Sequence, residues 1–393
     1  MTKTQSIRAS KKRVAAILLA AVTAFSIAFP SQALAVVSID GNELANGTNN
    51  VGGGTATLCD KSVDMENVTA NDMHTDQDLS INFNGGNDIE VLRIDGSANV
   101  DVNFEGENEV EDTHVYDDAN VTVNANGHND FEEIEAHDNS EVTVNVTGKN
   151  DFETIEATEN ANITVKGTDC QKRDIVTIGD EEHDTDRISA ENGNVTIDHV
   201  TVELDSPTAV VGSKNGNLTI DTSKITSGDE DEYVEVVAGN EMNIHESVLD
   251  IVGTMHSGGL MVIDHSDVKV SKPDSKYDDS PYRVYSKTGI ELKDEKNGTV
   301  KKDDDVWYLT TDDDDDDDDD DTVHLKANGD VEYYTCSSKK SERASVPKTG
   351  GKSQTATMPK TGDDANPWAY LCLAISSLAI ACYAAKRRYD ETA

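Results

Sequence analysis

Carboxylates recur at a fixed interval along the first half of this chain. Asp88, Glu109, Asp130 and Asp151 lie 21 residues apart, and Glu90, Glu111, Glu132, Glu153 and Asp174 form a second series with the same spacing. If 21 residues make one turn of a stacked structure, neighbours in each series face each other at about 4.8 Å. Two unit charges at that distance repel by roughly 0.9 kcal/mol even in bulk water. Divalent cations relieve such repulsion, and calcium is the cation that prefers clustered carboxylate and carbonyl oxygens. The two series are therefore read as a calcium ladder, with Lys172 and Arg173 neutralising its far end. The competing reading is a solvated acidic face copied by repeat duplication. The Gly-Gly-x-Gly-x-Asp repeat of calcium-binding β-rolls is absent.

Other chemistry is sparse. The ten histidines show no metal-ligand spacing. His199, His245 and His265 follow the core isoleucines of their segments and read as solvated strand ends. No nucleophile elbow or phosphate loop is present, and Arg93, Arg173 and Arg187 are scattered. A non-catalytic protein is expected. Of the five cysteines, Cys372 and Cys382 fall in an apolar C-terminal stretch, leaving Cys59, Cys170 and Cys336. If the 21-residue register runs back to Leu58, Cys59 lies about five turns, roughly 24 Å, from Cys170, too far for a disulfide. One pair at most is possible, and it involves Cys336.

The elements that hold the acids follow from the same repeat. Starts fall at Leu79, Val100, Val121, Val142 and Ile163. After each start the first, third and fifth positions are mostly apolar and the residues between them polar, the alternation of a strand with one buried face. Gly85, Gly106, Gly127 and Gly148 form one turn column, and Asn87, Asn108, Asn129 and Asn150 another. Both residue types tolerate the left-handed backbone of a sharp corner. A second strand buries Ile89, Val110, Phe131 and Phe152, then the column Leu92, Ile134, Ile155 and Val176, with Thr113 as an exception, then Ile94, Val115, Ala136, Ala157 and Ile178. A 21-residue unit cannot close its own core, whereas stacked units share a continuous one. The expected fold is all-β, a right-handed parallel β-helix. A β-sandwich of hairpins gives no reason for Asn to recur on Asn.

A looser series continues the pattern, with core isoleucines Ile197, Ile220, Ile244 and Ile263 inside Gly-Asn-x-Thr-Ile-Asp-like phrases. This phrasing resembles the bacterial β-helical carbohydrate-binding surface domains, whose fold is like that of pectate lyases. The resemblance covers roughly residues 79–270. It implies a glycan or host-surface ligand, and it leaves a wall-anchored polysaccharide lyase or hydrolase as the alternative. Beyond Val270 the rhythm breaks into short strand-like pieces, Tyr282 to Tyr285, Val306 to Thr310, Val323 to Lys326 and Val331 to Tyr334. These bracket ten consecutive aspartates, Asp312 to Asp321, and are read as a cap over the open end of the helix.

Both termini read as addresses. Lys3, Arg8, Lys11, Lys12 and Arg13 precede an apolar stretch, and Ala33 and Ala35 are the small residues of a signal-peptidase site. At the other end, Met358-Pro359-Lys360-Thr361-Gly362 is followed by an apolar run over 368–385 and then by Lys386, Arg387 and Arg388. That order resembles the LPxTG-type cell-wall sorting signal of Gram-positive surface proteins, with Met in place of Leu. The resemblance implies cleavage by a sortase between Thr361 and Gly362 and covalent attachment of Thr361 to peptidoglycan. The apolar run is just long enough to span a bilayer before sorting, and the basic tail keeps its end inside. A second copy, Val346 to Gly350, departs from the motif at its first position and reads as a duplication relic.

The expected organisation is a signal helix over 1–35, an N-terminal cap over 36–78, β-helix repeats over 79–270 and a β-rich C-terminal cap over 271–336. A linker over 337–357 and the sorting signal over 358–393, with its transmembrane helix, follow. Composition agrees. The 393-residue chain carries a net charge of −44, and the processed piece 36–361 would carry 25 basic and 73 acidic residues, a net of −48. Such a surface excludes a nucleic-acid partner and adsorption to anionic lipid. Only 36% of residues are hydrophobic, which suits a thin core. The reading is a cell-wall-anchored, non-catalytic binding or adhesive module. An acidic stalk or coat without a specific ligand is the blandest alternative.

Overall fold

The computed structural model describes residues 37–168, 174–179, 186–227, 233–273, 282–311, 322–329 and 331. Among the described residues every regular element is a strand. The signal site at Ala33 and Ala35, the aspartate run and the segment Met358 to Gly362 lie outside them, as do the apolar run and Cys170 and Cys336.

The strands stack as a β-solenoid. In one sheet Leu79, Val100, Val121, Val142 and Ile163 pair in sequence, all parallel and in the 21-residue register. In the other, Ile89, Val110, Phe131 and Phe152 do the same. Thr113 occupies the core column between Leu92 and Ile134 and is buried. The looser series is also in register, with Val165, Ile197, Ile220, Ile244 and Ile263 forming one column.

Parallel stacking extends past both expected limits. It begins with Ser62–Glu66 and Thr69–Thr75, which pair with Leu79–Asn84 and Asp88–Ile94. It ends with Val284–Ser286 and Gly289–Lys293. Antiparallel strands cover the ends. Val37–Ile39 lies on Thr69–Thr75, and Gly54–Cys59 on Ser62–Glu66. At the far end Val306–Thr311 pairs with Val284–Ser286, and Val323–Leu325 with Asp267–Ser271. A reversed strand ends the repeat and occupies the edge that would otherwise template another chain. Leu58 is part of this reversal, opposite Val63, so the helical register does not run back to it. Cys59 beside it is free and exposed.

The solenoid changes cross-section after Ala157. The single strand Glu141–Ala157 is followed by two strands in its place: Phe152 pairs with Ile178, and Ile155 with Ile188. The expected columns joining Ile155 to Val176 and Ala157 to Ile178 are therefore incorrect. Val176 sits on Asn150, and Ala157 stacks on Ala190. Two residues separate Phe152 from Ile155, but nine separate Ile178 from Ile188, so the extra chain splits one face into two. The next turns have three strands each, as in Val195–Asp198, Thr201–Leu204 and Thr208–Ser213, and at Val248–Ser257 the split face is again one continuous strand.

Corner chemistry divides differently from the expectation. The glycines of the turn column are left-handed, from φ 83° at Gly85 to φ 106° at Gly127. A Cβ at Gly148 would also sit 2.9 Å from the carbonyl oxygen of Gly127. The neighbouring Asn column is not left-handed. Asn87, Asn108, Asn129 and Asn150 are buried and hydrogen-bond up the stack, each Nδ2 donating to the next Oδ1 at 2.8–2.9 Å. A second ladder, Asn82, Asn103, Asn124 and Asn145, runs on the opposite sheet with donation in the reverse direction at 2.8 Å.

Candidate functional site

The acids lie on the sheet built from Asp88–Ile94, Glu109–Val115, Asp130–Ala136 and the second half of Glu141–Ala157. Two residues rather than one separate the core positions Ile89 and Leu92, so both project outward. This gives that face an additional column on every turn. Asp88, Glu109, Asp130 and Asp151 pair directly, as the spacing requires. Glu90, Glu111, Glu132 and Glu153 lie two residues on, across the buried column of Ile89, Val110, Phe131 and Phe152.

Asp174 is not in this column. The pairing offset has grown from 21 to 26 residues by Ile175, which places Asp174 at the turn corner, where it is buried and accepts the backbone N–H groups of Gly148 at 3.0 Å and Thr168 at 2.9 Å. It closes a corner and faces away from the ladder. Lys172 and Arg173 lie outside the described residues. Among the described residues, the Lys149 ammonium lies 3.3 Å from Asp151 at the ladder's end, and the His128 ring 3.7 Å from it.

In the remaining columns neighbouring acids add to burial at two positions. Partial burial, then Glu132, Glu90, Asp112 and Asp88, push the Glu111 carboxyl up. Burial and then Asp151 raise that of Asp130, with His128 opposing. Glu133, which pairs with Asp112 in a third acid column, is pushed up to about 7 by burial, then by Glu135, Asp112 and Glu156. The pairs Asp112/Glu133 and Glu135/Glu156 share the 21-residue offset, the signal that would have identified them. The column carboxylates form an open ladder. Among the described residues the one set of three ligating side chains whose atoms lie within 4.8 Å of one another is His114, Glu135 and His137.

No family model matches the chain, and no curated protein or solved structure matches it.

The other expected site residues fall into local structure. His199 and His265 adopt the left-handed corner conformation, at φ 55° and 47°. His245 lies instead on the preceding strand, paired with the column residue Asp221, so the three histidines do not share a column. His245 is 2.8 Å from Asp221, and His265 3.2 Å from Asp294. His199 pairs with Asp198. Exposed-face aromatics are few but grouped. Tyr116 stacks on His137 at 4.5 Å, with the Arg93 guanidinium 4.7 Å from its ring centre, and Tyr282 stacks on Tyr308 at 4.4 Å.

Proposed function

We propose that this chain is a cell-wall-anchored surface protein whose right-handed solenoid is a rigid, non-catalytic binding or adhesive module stabilised by calcium. One observation supports this reading above the others: four turns hold acidic columns in parallel register on one face, with the Glu111 and Asp130 carboxyls raised by burial and then by neighbouring acids. A surface that repels itself in this way gains from any cation that bridges neighbouring turns. The donor set is all carboxylate, which suits calcium, whose shell tolerates water at the remaining positions. The glycan or host-surface ligand rests on the family resemblance of the repeats. Attachment through sortase to peptidoglycan rests on Met358, Pro359, Lys360, Thr361 and Gly362.

Two experiments test these parts separately. For 10 mM calcium against a Kd of about 1 mM, mass action contributes about 1.4 kcal/mol per site. Calcium should therefore raise the melting temperature of the full-length chain. Magnesium should raise it less, because it holds its waters, and sodium at equal ionic strength should give only screening. Changing Glu111, Glu132 and Glu153 together to Gln should raise stability without calcium and remove most of the calcium response. A full calcium shift in that triple variant would leave only a solvated face. For anchoring, Thr361→Ala is expected to move the protein from the wall fraction to membrane or medium. Wall attachment that survives Thr361→Ala combined with Thr349→Ala would refute the sorting reading.

A further inference from the structure

The geometry points to a transition-metal site of the zinc class on the solenoid face, formed by His114, Glu135 and His137. This site is separate from the acid ladder and rests on none of the anchoring argument.

Its three residues come together through the turn period. His114 and Glu135 are 21 residues apart and face each other in neighbouring strands. His137 is two residues beyond Glu135, on the same outward side of its strand. Glu135 Oε2 is 3.0 Å from His114 Nδ1 and 3.0 Å from His137 Nε2. Each side chain retains only about a fifth to a quarter of its exposure, 21%, 24% and 21%, so the group is recessed but open on one side. Donor atoms on a tetrahedral zinc with bonds of about 2.0–2.1 Å lie about 3.4 Å apart. The two 3.0 Å edges are near that value, and a cation between the three atoms would lengthen them slightly.

Two further observations separate this trio from an ordinary ion-pair cluster. First, His114 Nδ1 is buried and makes no hydrogen bond, although it lies beside Glu135. That nitrogen is committed to no hydrogen bond and is therefore open to a metal. Second, the far nitrogen of His137 is already held: Nδ1 lies 2.9 Å from Thr158 Oγ1. Nε2 faces Glu135 Oε2 at 3.0 Å; when a metal takes Nε2, Nδ1–H donates to that hydroxyl, the outer-shell arrangement that orients metal-bound imidazoles. Tyr116, stacked parallel to the His137 ring at 4.5 Å, fixes the ring plane.

The donor set determines the class of ion. Two imidazoles and one carboxylate suit zinc, copper or nickel, whereas calcium and magnesium prefer oxygen alone. Three protein ligands leave one tetrahedral position facing solvent, where water completes the shell.

The test uses the full-length chain with zinc chloride, and cobalt(II) as the spectroscopic probe, in millimolar calcium so that the acid columns are occupied. One equivalent of zinc should bind by calorimetry, and cobalt should give the visible absorption of a tetrahedral nitrogen–oxygen site, displaced by zinc. His114→Ala and His137→Ala should each weaken zinc binding on the order of 100-fold and abolish the cobalt band. Thr158→Val, which touches no metal, should weaken it roughly 10-fold. His245→Ala, remote from the trio, should change nothing. Far-ultraviolet circular dichroism of each variant verifies that it folds, and His114→Asn serves where the alanine variant does not. Absence of the cobalt band in the wild-type chain would overturn the proposal. So would a one-equivalent zinc site that survives in folded His114 and His137 variants.

Discussion

Phe131→Ala is expected to lower the unfolding free energy by about 3–5 kcal/mol, the cost of removing a fully buried aromatic from a core that cannot collapse around the void. The core is one side chain deep, and each of four successive turns contributes one phenylalanine to the same corner. Phe83 and Phe104 come from one sheet and stack at 4.6 Å, while Phe131 and Phe152 come from the other and stack at 4.7 Å. The series crosses between sheets where Phe104 meets Phe131 edge-on at 5.0 Å. Opposite each ring is a smaller residue: Ile89 and Val110 in the first two turns, Ala125 and Val146 in the next two. The corner therefore accommodates one ring per turn from either side. Ala125→Phe alone should overpack it, at about 1–3 kcal/mol. Combined with Phe131→Val, the same change should restore part of the loss, since the crossing simply moves up one turn. Urea unfolding of the four proteins measures the coupling. Strictly additive losses would show that the two positions do not share a volume.

The second large effect is expected at Asn129. It is 1% exposed, accepts from Asn108 Nδ2 at 2.9 Å and donates to Asn150 Oδ1 at 2.8 Å and to the Asn126 carbonyl at 3.3 Å. Alanine would remove the side-chain bonds to Asn108 and Asn150, leaving Asn150 Oδ1 only the Asn129 backbone N–H at 3.2 Å and Asn108 Nδ2 only the Glu105 carbonyl at 3.4 Å, at about 1–3 kcal/mol for each lost bond and a total of about 3 kcal/mol. Asn129→Asp separates the hydrogen bonds from the volume. A carboxylate still accepts from Asn108 but faces the Asn150 oxygen with a lone pair and carries a buried charge. Its protonated form is the one the fold tolerates, so its pKa in the folded state rises above the unfolded value. Stability of this variant is then greatest at low pH and is lost as pH rises through that raised value. A pH-independent deficit in chemical denaturation would mean that the ladder opens to solvent at this turn.

The repeat was legible where its period holds. From Leu79 to Ile163 equal offsets in sequence are equal positions on successive turns, so core columns, glycine corners and the main acid columns could be read from spacing alone. The same reasoning failed at Asp174. The pairing offset grows from 21 residues at Gly167 to 26 at Ile175 and 33 at Arg187, so which residue lies above which changes before Asp174, and pairing energy across the sheet, rather than count, then selects the register. Hence Asp174 closes a corner in place of extending the ladder, and Val176 rests on Asn150.

Burial and direction were the quantities spacing could not supply. A column of asparagines at a turn is compatible with a left-handed backbone or with a buried amide ladder, and only the packed corner distinguishes them, because an interior amide must find partners. The alternation of phenylalanines between sheets likewise depends on both strands reaching one corner. His114 lies a full repeat away from Glu135 and His137, and the three are not spaced like a metal-ligand motif. They converge because one step is a full turn of the solenoid and the other is two residues along a strand, and a one-dimensional motif does not combine those two distances. Residue type and period thus specify a stacked all-β chain with an acidic face. The packing of one turn on the next decides which of those side chains meet.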